Sequence, residues 1–174
     1  MHKITLPMLK MAALIGPIVL TGLVAALGSY MSQRAIRDGY YDRLVLGVKP
    51  PRWLFGVMWT IIYIAFVYAW VRLFAHSRDV SLVVVMPVLS IFLNLLWVYL
   101  FFGVGTWASP LQAKLVYRQG RAIALPTILA LLLTVLYLAV VLYRFKEWYA
   151  FAGMVVYIGW LLFATYLNAT ARER

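Results

Sequence analysis

The sequence predicts an all-α integral membrane protein, a single bundle of five transmembrane helices formed by residues 1–174. Three observations predict it. Hydrophobic residues make up 66% of the chain and charged residues 12%, against roughly half and a quarter in a soluble domain. Five apolar stretches are long enough to cross the hydrocarbon core, which takes about 20 residues at a rise of about 1.5 Å each. The acidic residues Asp38, Asp42, Asp79, Glu147 and Glu173 all fall between or after those stretches, where charge is tolerated.

The first span is expected at about residues 11–31. The apolar run after Lys10 is too long for the core of a signal peptide and reads as a retained span. Its Gly16-Pro17 step either opens a niche for a ligand or is a packing kink. A polar segment, residues 32–49, carries Arg34, Arg37, Asp38, Asp42 and Arg43. It suits a binding loop or lid as well as a headgroup-level connector. Pro50 and Pro51 then force an extended entry, after which a helix starts and the second span runs over about 53–74. Within it Trp59, Tyr63, Phe66 and Trp70 recur at helical steps and stack four rings on one face. Such a face fits a neighbouring helix or a flat aromatic ligand, and spacing alone favours the helix.

A short link around Arg78 leads to the third span, about 80–102. Asn94 lies at its middle with Trp97 and Phe101 on the same face, and an amide at that depth is expected to bond another helix, for about 1 kcal/mol or less. Residues 103–124 are less apolar and place Lys114, Arg118 and Arg121 on one helical face. They form either an interfacial helix or an extension of a neighbouring span. The fourth span, about 125–143, reads as scaffold. The fifth, about 148–168, sets Tyr149, Gly153, Tyr157, Trp160, Ala164 and Asn168 along one side before a basic tail.

Charge and chemistry narrow the function. The net charge is +11, but the basic residues edge the apolar runs, where anionic headgroups and the positive-inside rule account for them; no nucleic acid is expected. With no cysteine and only His2 and His76, thiolate chemistry is excluded and no metal site is expected. No carboxylate, lysine or histidine lies mid-span, which disfavours ion-coupled transport, and no catalytic residue can be assigned. Seven tryptophans and twelve tyrosines remain; they bind something apolar and flat, or form interfacial belts. Counting Lys and Arg on the two sides gives six against ten, so the C-terminus and the first connection are expected to face the cytoplasm.

The motifs Pro50-Pro51-x-Trp53-x-Phe55-x-x-x-Trp59-Thr60-x-x-Tyr63, Leu93-Asn94-x-x-Trp97 with Phe101-Phe102-Gly103, and Trp160-x-x-Phe163-Ala164-Thr165-x-Leu167-Asn168 together resemble the translocator proteins, or tryptophan-rich sensory proteins. The resemblance implies a five-helix bundle, a homodimer, and an intrabundle pocket binding tetrapyrroles such as protoporphyrin IX and haem, with no cofactor required. It implies ligand-binding roles for Trp59 and Trp160 as facing indoles, for Asn94, Trp97 and Ala164, and for Tyr63, Phe55 and Trp53. The ring would stack between Trp59 and Trp160, with Arg43, Lys49 or Arg52 meeting its carboxylates. Alternatives are light-dependent porphyrin breakdown and a regulatory protein binding membrane lipid or sterol. Val45-Leu46-Gly47-Val48 departs from the family pattern before the Pro-Pro step, so lid contacts do not transfer. The loose sterol pattern occurs three times, ending at Lys146, Arg121 and Arg172, and carries little weight.

Overall fold

The computed structural model describes residues 6–107 and 110–173; Lys3 and Arg174, counted above among the flanking charges, lie outside them, as do the side chains of Lys10, Lys114 and Glu173. Among the described residues five helices are long and apolar enough to cross a membrane, over Leu14–Arg37, Arg52–His76, Ser81–Gly103, Leu115–Arg144 and Trp148–Thr170. In full, α1 is Leu6–Arg37, α2 a single turn at Tyr40–Arg43, and α3 Arg52–His76. The third span is α4, Met86–Val98, flanked by π turns at Ser81–Val85 and Tyr99–Gly103. Then follow α5, Pro110–Arg144, and α6, Trp148–Thr170.

Two helices outrun their apolar stretches. α1 continues through Ser32 and Gln33 to Arg37, where Gly39 takes a left-handed φ of 73° and its N–H bonds the Ile36 carbonyl at 3.1 Å. Only there does a residue suited to that conformation end the ladder. Residues 110–124 prove to be the first turns of α5, an extension of the fourth span rather than a separate interfacial helix.

The segment between α1 and α3 is short and ordered. After α2, Leu44–Val45 forms strand β1, which pairs antiparallel with β2, Arg172–Glu173, in the register Leu44 to Glu173 and Val45 to Arg172. The first connection and the C-terminal tail therefore lie at the same end of the bundle. Between α5 and α6, Lys146 holds a φ of 59° while its N–H bonds Tyr143 O and that of Glu147 bonds Leu142 O, both at 3.0 Å. This double closure is a Schellman cap, with a lysine where glycine is usual.

Helix contacts are close where small residues allow it. A Cβ on Gly120 would come within 2.4 Å of the Leu100 carbonyl oxygen, so this glycine lets α5 lie against the π turn ending the third span. On α6, Gly153 packs against Ala65 of α3 in the same way. The buried core runs the length of α5 and α6 through Ile128, Leu131, Val135, Leu142, Met154 and Leu161. Many of the largest exposed apolar residues, among them Leu23, Ile64, Leu133 and Leu162, belong to faces that meet lipid.

Candidate functional site

A cavity of about 440 Å³ lies between α1 and α3, within the roughly 300–1,000 Å³ typical of small-molecule sites. The aromatic wall comes from α3, whose successive turns present Trp53, Phe55, Trp59 and Tyr63, and from Phe102 in the π turn. The π geometry of Tyr99–Gly103 stacks Phe101 on Trp97 at 5.5 Å and leaves Phe102 edge-on to Phe55 at 6.1 Å. The opposite wall is the small and polar face of α1, formed by Gly28, Ser29, Ser32 and Gln33. The continuation of α1 past its apolar stretch is what supplies this polar wall.

Tyr41 closes the end near the first connection. Its hydroxyl donates to the Pro50 carbonyl, tying α2 to the entry of α3, and its ring lies edge-on to Phe55 at 5.7 Å. Burial pushes the Tyr41 hydroxyl up to a pKa of about 12, so it stays a neutral donor. At the rim Arg52 bonds both oxygens of Asp42, and this hydrogen bond holds the Asp42 carboxyl below the usual carboxylate range. Of the three cations expected near the mouth, Arg52 alone lines the cavity. Lys49 donates to the carbonyls of Asp42 and Leu44, both at 3.2 Å, and Arg43 to that of Asp38 at 3.0 Å.

The expected site residues divide into two layers. Trp53, Phe55, Trp59 and Tyr63 line the cavity, although Trp53 is 66% exposed and sits at its outer edge. Asn94, Trp97, Trp160 and Ala164 are buried behind that wall. Trp59 joins the layers: its ring lies 5.5 Å from Tyr63, 6.2 Å from Trp97 and 6.3 Å from Trp160.

The indoles of Trp59 and Trp160 meet edge to face, at 85°. That contact differs from the expected sandwich, because a planar ring cannot enter between two indoles already touching. Trp59 nevertheless lines the cavity shared with α1. Spacing put both rings on inward faces; the distance between α3 and α6 closed the gap. Trp160 also contacts Phe55 at 5.7 Å, and its buried Nε1 has no hydrogen-bond partner among the described residues.

The buried amides are structural joints. Asn94 Oδ1 accepts from Tyr63 Oη at 3.0 Å and its Nδ2 donates to Tyr157 Oη at 3.2 Å, linking α3, α4 and α6. Asn168 accepts from Trp97 Nε1 at 3.2 Å and donates to the Arg121 carbonyl at 3.0 Å. Sequence reasoning missed the α1 wall and Tyr41. Ser29, Ser32 and Gln33 recur at helical spacing, but that signal was hidden by reading residues 32–49 as one connection.

A sequence model described as the TspO/MBR family matches residues 15–173. The chain is also 29% identical over 164 residues to the tryptophan-rich protein TspO of Archaeoglobus fulgidus, covering 92% of this chain and 93% of that protein. The match spans all five membrane helices, the aromatic wall and the tail strand, and on that extent the chain belongs to the TspO/MBR family.

Proposed function

We propose that this membrane protein is a receptor or carrier for tetrapyrroles, held in the cavity between α1 and α3. The observation that carries this reading is the cavity wall, where Phe55, Trp59, Tyr63 and Phe102 face a small, polar helix surface and, among the described residues, Arg52 at the rim is the one charged group in the lining. A broad apolar ring gains dispersion and stacking against such a wall. Carboxylates on its edge reach the rim, where the Arg52 guanidinium offers bidentate hydrogen bonds in competition with Asp42. Ser29, Ser32 and Gln33 provide hydrogen-bonding groups for the remaining polar edge.

Quenching of tryptophan fluorescence by protoporphyrin IX tests this reading. Trp59→Leu is expected to weaken binding about tenfold, equivalent to about 1.4 kcal/mol, whereas Trp160→Leu has the smaller effect because its ring lies behind Trp59. Arg52→Gln should reduce the preference for the free dicarboxylate over its dimethyl ester. Unchanged affinity in the Trp59 variant rejects the site.

A further inference from the structure

A second cleft, of about 490 Å³, lies where α6 ends, between its last turn and the first turns of α5. Arg118, Arg121 and Leu125 line it from α5, Asn168 and Arg172 from the end of α6 and the tail, and three alanines leave room between them. Arg118 and Arg121 are three residues apart and so neighbours on one helix face.

Arg121 is only 9% exposed. Its Nη1 donates to Tyr40 Oη at 2.9 Å, Tyr40 itself stacks on Tyr117 at 3.8 Å, and its carbonyl receives Asn168 Nδ2. Arg121 is thus a fixed wall. Arg118 and Arg172 are exposed and form no ion pair with a described residue. No carboxylate lines the cleft among the described residues, and Leu125 supplies an apolar side one turn deeper.

Guanidinium groups present planar forks of donors that match phosphate oxygens. Three arginines line this cleft beside the apolar Leu125, at the end of the membrane-spanning helices where headgroup phosphates are concentrated. We propose that this cleft binds a phosphate group, gripped by Arg118 and Arg172 against the fixed Arg121. That phosphate is carried by an anionic phospholipid or by a soluble anion, and the experiment separates the two.

The test is native mass spectrometry of the full chain in neutral detergent, titrated with phosphatidylglycerol or phosphatidylcholine, with thermal unfolding in inorganic phosphate run alongside. A preference of at least fivefold for phosphatidylglycerol, lost in R118Q/R172Q and kept in R78Q/R144Q at the opposite end, assigns the site to lipid. Thermal protection by inorganic phosphate that the same R118Q/R172Q variant loses, without lipid preference, assigns it to a soluble phosphate. R118K/R172K keeps the charge but not the fork, and is expected to fall between wild type and R118Q/R172Q. The proposal is overturned if R118Q/R172Q binds as wild type does, if R78Q/R144Q loses as much, or if wild type responds to neither phosphate source.

Discussion

Asn94 shows how one residue can be placed by sequence and still have its role decided by neighbours. Its central position in an apolar run demanded a hydrogen-bond partner, because an unpaired amide in hydrocarbon is costly. Two partners meet it, Tyr63 and Tyr157, each from a different helix. Asn94→Leu removes both bonds and leaves two tyrosine hydroxyls to find other partners. A loss of about 1–2 kcal/mol is expected in detergent unfolding, while Tyr63→Phe costs about 0.6 kcal/mol because the Tyr157 bond survives. Equal midpoints for wild type and Asn94→Leu would show that the amide joins nothing of consequence. Trp59 belongs to the same scale: periodicity gave its face, but only the packing of α6 decided that its ring meets that of Trp160.

At the scale of elements, helix ends are set by backbone chemistry rather than by hydropathy. The apolar runs mark where the chain meets lipid, whereas the ladder of backbone hydrogen bonds continues until a residue favours another conformation. This is why α1 extends to Arg37. The cap after α5 is the exception, with Lys146 in the left-handed region at φ 59°. Lys146→Gly keeps both closing hydrogen bonds and removes the Cβ strain, so it should stabilise the fold by about 1 kcal/mol. A raised melting temperature with an unchanged circular dichroism spectrum would bear this out; a lowered one would mean that the lysine side chain makes a contact worth more than the strain.

Across the whole molecule the two ends are fastened differently. At one end Arg72 of α3 forks onto Glu147 through bonds of 2.7 and 2.6 Å, with His76 Nε2 3.2 Å away. The Arg72 hydrogen bonds hold the Glu147 carboxyl below its ordinary range. Its contribution to stability is therefore complete above the unfolded carboxylate value, roughly pH 4.3, and is lost as the pH falls through the lowered folded-state value. Glu147→Gln should flatten that acid limb and leave stability lower at neutral pH; an unchanged limb would exclude the pair as its origin. At the other end, β2 clips β1 and with it the connection that carries Tyr41. Deleting residues 171–174 is expected to speed amide exchange at Leu44 and Val45 severalfold without changing exchange in α5, read by mass spectrometry. Uniform protection in the truncated chain would show that the strand pair restrains nothing.

By itself the sequence determined the membrane class, the number of spans, the family and the inward faces of the aromatic helices. These follow from local quantities, namely apolar run length, helical period and motif spacing, which survive in one dimension. Tertiary structure alone decided that Trp59 and Trp160 touch, that the cavity opens towards α1, and that Arg118, Arg121 and Arg172 gather beside Asn168. Each of these depends on the distance between helices far apart in the chain. That distance is set by where residues as small as Gly120 and Gly153 let backbones approach, and no period within a single helix encodes it.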